Sequence, residues 1–201
     1  SILQQRYTVL KNQGNLNNLI GLPLSLLQMS PDHTAAVLEM GMNSPGEIAR
    51  LSRIARPNIG VITNVSAAHL SGLGSVENIL KAKGELVDSL GRDDTLVLNL
   101  TDSLCAQLAA RAKCRLITFG SGPGCAVRCK RIVNTKGGRI SFALEVGSEP
   151  IQVELNVPGR YNACNAAGAA AAGLAMGMEL GEIKDGLEQY QGLSMRSEII
   201  K

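Results

Sequence analysis

The chain has 201 residues, is 45% hydrophobic, and carries 20 basic against 17 acidic residues for a net charge of +3. That length and apolar content suffice for one substantial core, so a single domain over 1–201 is the default expectation. Scattered charges, no tryptophan and only 2% aromatics argue against nucleic acid as a partner, since neither a phosphate-tracking run nor a base-stacking platform is present.

Five cysteines (Cys105, Cys114, Cys125, Cys129, Cys164) form an odd set without paired spacing, which points to reduced thiols in a cytoplasmic setting. Cys125 and Cys129 are four apart, but no second Cys or His pair accompanies them, so a zinc site is not expected. No apolar stretch approaches the length needed to cross a bilayer.

Ser1 to Gln5 read as the tail of a helix. Short apolar runs then alternate with helical patterns: strands are expected at 7–10, 35–40, 59–65, 95–98 and 115–119, and helices near 23–29, 46–55, 76–90 and 102–113. This alternation predicts an α/β fold, a mostly parallel sheet flanked by helices. From about 121 to 157 the period changes to two (126–133, 139–146, 150–155) around Gly-rich turns such as Lys136-Gly137-Gly138, which predicts a small antiparallel subsheet. Helices follow at 162–176 and 180–190, with Gly177 as the C-cap between them, and 195–201 begin another strand-like run.

Ligands of open parallel sheets bind at the carboxyl ends of strands, so polar residues there come first. Glu39 lies near the end of an apolar run, where it either pairs, binds a cation, or simply reaches solvent. Asn64 and His69 follow the next strand, and a lone loop histidine is more often a structural group than a ligand. Lys83 falls on the apolar stripe of Val76, Ile79, Leu80, Val87 and Leu90. There it either snorkels or sits desolvated as a neutral amine able to react with carbon dioxide, which would give an anionic carbamate. Together Glu39, His69 and Lys83 could serve a divalent cation such as Mg2+ beside ATP phosphates.

The amides of Asn15, Asn17 and Asn18 lie between Gly14 and Gly21, as a ligand-facing loop or a turn. Asn162 and Asn165 open a helix, where Asn162 is a ligand contact or an N-cap. No Gly-x-x-x-x-Gly-Lys-Ser/Thr motif occurs.

Six ordered motifs carry a resemblance. They are Gly-Asn-Leu-Asn-Asn-Leu-Ile-Gly-Leu-Pro (14–23), Leu-Glu-Met-Gly-Met-Asn-Ser-Pro-Gly-Glu-Ile (38–48), Thr-Asn-Val-Ser-Ala-Ala-His-Leu (63–70), Lys-Ala-Lys-Gly-Glu-Leu (81–86), Pro-Gly-Arg-Tyr-Asn-Ala-Cys-Asn-Ala (158–166) and Met-Arg-Ser-Glu (195–198). In this order they resemble the central, nucleotide-binding domain of the Mur ligases, a P-loop-like fold, across essentially the whole chain.

The resemblance implies that Glu39 and His69 bind magnesium and that Lys83 is carbamylated. It also implies that Asn162 and Asn165 contact adenine, and that Arg196 approaches the nucleotide. Asn15, Asn17 and Asn18 would face a UDP-muramoyl-peptide, with Asn43 and Asn64 nearby. Tyr161 stands where the family commonly has histidine, so no role is assigned to its ring.

The implied activity is ATP-dependent amide formation in peptidoglycan precursor synthesis, adding D-Ala-D-Ala to UDP-N-acetylmuramoyl-tripeptide through an acyl phosphate. The near alternatives are a sibling amino-acid-adding or cyanophycin-synthetase-like ligase. Another class is a non-catalytic ligand-binding module, and a purely structural domain would keep Glu39, His69 and Lys83 apart. A cytoplasmic monomer is expected. The family's phosphate-binding loop would precede Ser1 and its C-terminal domain would follow Lys201, so the chain alone is expected to be inactive.

Overall fold

The computed structural model describes residues 1–66 and 70–192; His69, Arg196 and the strand-like run 195–201 lie outside the described residues. Among the described residues, eight strands and seven α-helices follow in chain order. The first half holds β1 (Val9–Lys11), α1 (Gly21–Leu26), β2 (Ala35–Val37), α2 (Glu47–Ala55), β3 (Ile59–Ile62), α3 (Leu70–Leu73) and α4 (Val76–Ser89). Then come β4 (Thr95–Asn99), α5 (Ser103–Leu108), β5 (Arg115–Gly120), β6 (Val127–Asn134), β7 (Ile140–Val146), β8 (Glu149–Leu155), α6 (Tyr161–Ala175) and α7 (Leu180–Glu188). The chain divides into two compact units, one of Tyr7–Leu96 with Asp102–Leu116, the other of Ser1–Arg6, Val97–Thr101 and Ile117–Lys201.

The strands make two sheets, a β1-β2 pair and a six-stranded sheet of order β3-β4-β5-β6-β7-β8. This is the α/β fold with a sheet flanked by helices that the alternating pattern predicts. The difference lies in the first pair: β1 and β2 run parallel, with Val9 opposite Ala35, but form a two-stranded sheet of their own. Each is only three residues long, and pairing between such short strands depends on long-range packing that no local period encodes.

In the first unit, α4 is the best-specified element. Ser75 caps it by accepting a hydrogen bond from the Asn78 amide at 3.2 Å. Its apolar stripe buries Ile79, Ala82 and Val87, and Leu90 just beyond the helix is buried too. Glu85, on the same helix, accepts from the Gly46 and Ala49 amides at 2.7 and 2.9 Å and so satisfies the first turn of α2. The helix expected at 102–113 is shorter, ending as α5 and continuing as a 3-10 turn over Ala109–Arg111.

In the second unit, β5 pairs parallel with β6, and β6-β7-β8 form the antiparallel subsheet, with Val127 opposite Val146 and Ile140 opposite Leu155. A register shift between Lys130 and Val133 coincides with Arg131 at φ +51°, a bulge that the two-residue period does not announce. Alanines of α6 (Ala163, Ala166, Ala167, Ala170, Ala171) are buried, and Gly168 meets the Phe119 ring so closely that a Cβ would lie 2.8 Å from it. The alanine run is therefore a close-packing face.

Gly177, at φ +74°, takes the left-handed position after α6, as expected of a C-cap glycine. Ser1 to Gln5 do not form an α-helical tail. Leu3–Gln5 make one 3-10 turn, closed by Gln5 N to Ile2 O at 3.0 Å and Arg6 N to Leu3 O at 3.1 Å, and the buried Ile2 packs against Gly186. Among the described residues, no helix is long and apolar enough to cross a membrane.

Candidate functional site

β2 ends at Val37, so Glu39 lies two residues past the strand and is exposed. The sequence leaves open whether this acid is paired or solvated, and the structure combines both. Asn17 donates its side-chain amide to Glu39 Oε1 at 2.8 Å. Asn12 clamps the same residue's backbone, donating to its carbonyl at 3.0 Å and accepting from its amide at 3.1 Å. The Asn17 carbonyl accepts from Gly41 N at 2.7 Å, and a Cβ on Gly41 would fall 2.7 Å from Asn17 Oδ1, so a larger residue there would displace the Asn17 side chain. Residues 14–18 and 39–41 are thus one linked structure that aims a carboxylate outward.

The other amides of this loop differ in role. Asn18 Oδ1 accepts from the Ile20 and Gly21 amides at 3.0 and 2.8 Å, holding the entry to α1. Asn15 is exposed, and its carbonyl accepts from Asn17 N at 2.8 Å. Asn43 is exposed as well, with its backbone amide held by Glu47 at 2.6 Å.

Lys83 is half-buried on α4 and donates to the Asn64 carbonyl at 2.5 Å. Burial holds its ammonium below the usual lysine pKa, with the neighbouring Cys105 and Asp102 opposing the shift. Of the two readings of Lys83, this favours a partly desolvated amine over one that reaches free solvent. Asp102 organises the surroundings: Oδ1 accepts from the Leu104 and Cys105 amides at 2.9 and 3.0 Å, capping α5, while Oδ2 accepts from Val65 N at 2.8 Å. Beside it, burial pushes the Cys105 thiol up to about 12.

Among the described residues no hydrogen bond joins Glu39 to Lys83, and no group of three or more His, Cys, Asp and Glu could hold a metal ion.

In the second unit, Asn162 is a residue of α6 rather than its N-cap, which is Arg160. Its side-chain amide reaches back to Pro158 O at 2.7 Å, and its Oδ1 accepts from Asn165 Nδ2 at 3.3 Å. The N-cap alternative is therefore removed and the two asparagines are brought together. The carboxyl ends of β4 and β5 add groups that the sequence reading did not single out. Asn99 Oδ1 accepts from Thr101 N at 2.8 Å, Thr101 Oγ1 accepts from Ser121 N at 2.8 Å, and Asn99 Nδ2 lies 3.7 Å from Cys164 Sγ on α6. Asn99, Asp102 and Asn12 are polar residues at or just past strand ends, which is the signal the sequence carries for them.

Polar clusters at strand ends, helix-borne amides and a half-buried amine are the candidate ligand-binding groups of this α/β domain. The family is settled by similarity: the Mur ligase middle domain matches residues 1–173, and the chain belongs to that family. It is 36% identical over 203 residues, 100% of its length, to the UDP-N-acetylmuramoyl-tripeptide--D-alanyl-D-alanine ligase of Bacillus subtilis (strain 168). It matches a crystal structure of MurF from Acinetobacter baumannii with a TM-score of 0.94 at 33% identity, covering 100% of this chain and 44% of that one. MurF from Thermotoga maritima, solved in complex with ADP, matches with a TM-score of 0.82 at 26% identity, over 96% of this chain and 44% of that one. The chain spans 43% of the length of its B. subtilis relative.

Proposed function

We propose that this chain is the nucleotide-binding middle domain of an ATP-dependent ligase that adds D-Ala-D-Ala to UDP-N-acetylmuramoyl-tripeptide in peptidoglycan precursor synthesis. The observation that carries the reading is the whole-chain likeness to proteins of that name in sequence and in fold. The ADP held by the T. maritima protein supports a nucleotide as one ligand.

In this reading adenine lies against Asn162 and Asn165, whose mutual hydrogen bond fixes the amide orientations, and Arg196 approaches the nucleotide. Glu39, His69 and Lys83 serve Mg2+, with Lys83 as its carbamate. The chemistry of the donor set fits: the Glu39 carboxylate is exposed and oriented by Asn17, and burial favours the neutral Lys83 amine that carbon dioxide requires. Magnesium, when bound, neutralises phosphate charge and orients the substrate carboxylate toward the γ-phosphoryl group. Asn17 uses its amide on Glu39 and Asn18 its oxygen on α1, which leaves the exposed Asn15, Asn43 and Asn64 to meet the muramoyl-peptide.

The substrate carboxylate takes the γ-phosphoryl group of ATP, the D-Ala-D-Ala amine attacks the resulting acyl phosphate, and phosphate leaves. The chain's residues bind and polarise, so no nucleophile of its own is required. The enzyme works as a cytoplasmic monomer.

Phosphate release by the full-length protein carrying this chain tests the reading. With UDP-muramoyl-tripeptide and D-Ala-D-Ala present, Lys83→Ala should abolish release, and added short carboxylates should restore part of it. Turnover with a single amino acid in place of the dipeptide would assign a sibling ligase, and an unimpaired Lys83→Ala would remove the carbamate.

A further inference from the structure

An open cavity of about 540 Å³ lies in the first unit between α2 and α4, and the proposed reaction uses none of its residues. Asn58 and Asp94 line it just before β3 and β4. It therefore opens at the amino ends of these strands, whereas Asn64 and Lys83 meet past the carboxyl end of β3.

The three acids of the cavity are engaged by internal donors. Glu85 accepts from the Gly46 and Ala49 amides, Asp88 pairs with Arg111, and Asp94 accepts from Gly91 N at 2.7 Å. Its two arginines, Arg53 and Arg56, are exposed, and among the described residues neither has an ion pair or a side-chain hydrogen bond. The unsatisfied groups are thus the guanidiniums.

Arg56 is also held in a backbone conformation that disfavours it. As the C-cap of α2 it is left-handed, at φ +48° and ψ +60°, and it directly precedes Pro57, whereas glycine takes such a position without strain. A positive charge in the last turn of α2 complements the helix dipole, but Arg53 already supplies one there. What glycine at this position would lack is the guanidinium that Arg56 brings to the cavity.

We propose that this cavity binds a phosphate monoester of a polyol, with Arg53 and Arg56 holding the phosphate. Residues three apart are neighbours on a helix surface, and two guanidinium forks match both the oxygens and the double charge of a phosphate dianion. The cavity is larger than a phosphate group alone fills and lies in the size range of small-molecule sites. The rest of its lining is polar, and Asn58, Ser89 and Asp94 suit hydroxyl groups rather than an apolar body.

Phenylglyoxal modification of the full-length protein carrying this chain, followed by peptide mapping, reads each arginine separately and so reports on this cavity alone. At about ten times its Kd, glucose 6-phosphate should slow the modification of Arg53 and Arg56 roughly tenfold. Arg50, exposed on the same helix, should react at an unchanged rate, and unphosphorylated glucose should protect neither arginine of the cavity. Arg56→Gly should fold with an unreduced Tm, because glycine relieves the left-handed backbone, and should abolish the protection of Arg53. Equal modification rates with and without glucose 6-phosphate, protection by glucose alone, or protection of Arg53 that survives in Arg56→Gly would each overturn the proposal.

Discussion

Asp102 carries more of the first unit than its place in the sequence suggests, and replacing it gives a magnitude that can be worked out beforehand. One carboxylate oxygen caps α5 through Leu104 N and Cys105 N, and the other accepts from Val65 N at 2.8 Å. Asp102→Ala removes a helix cap, worth about 1 kcal/mol, and leaves the Val65 N–H without its acceptor at roughly 1–3 kcal/mol, for a total of about 2–4 kcal/mol. Asp102→Asn can keep the capping oxygen but turns an NH2 toward the Val65 N–H, so it should lose only the second part, about 1–3 kcal/mol. Urea denaturation of the two variants measures both, with the midpoint falling and the slope unchanged. A loss below about 0.5 kcal/mol for Asp102→Ala, or equal losses for the two variants, would refute the division of labour between the two oxygens.

Gly120→Ala should destabilise by about 2–4 kcal/mol, because φ is +147° and the new Cβ would sit 2.1 Å from Thr101 Oγ1; an unchanged Tm would contradict this. Alkylation of Cys164 by iodoacetamide should follow its thiolate. Since the pKa is lowered to about 7, the rate should rise through that pH and level off above it, and a midpoint near 9 would remove the hydrogen-bond account. Asn17→Ala frees the Glu39 carboxylate from its amide and should raise the magnesium concentration needed for half-maximal activity of the full-length protein roughly tenfold, while an unaltered requirement would exclude an orienting role.

Much of this architecture is legible in the sequence because it depends on local periods. The stripe through Ile79 and Val87 is the buried face of α4, the alternation from 126 onward is the antiparallel subsheet, and Gly177 ends α6. Features that rest on distant partners are less legible. Nothing local says that β1 and β2 form a separate sheet, that Val37 rather than Met40 ends β2, or that Asn162 lies inside α6 instead of capping it. The candidate site divides in the same way. Its chemistry-bearing residues Glu39 and Lys83 stand out by type and position. The groups that orient them, Asn12, Asn17 and Asn64, act through contacts 19 to 27 residues away in the chain.

The most direct measurement is the product itself. The full-length protein carrying this chain, given ATP, magnesium, UDP-N-acetylmuramoyl-tripeptide and D-Ala-D-Ala, should yield the UDP-muramoyl-pentapeptide with one ADP and one phosphate for each amide formed. ATP hydrolysis without the pentapeptide, or amide formation with a single amino acid and none with the dipeptide, would contradict the account.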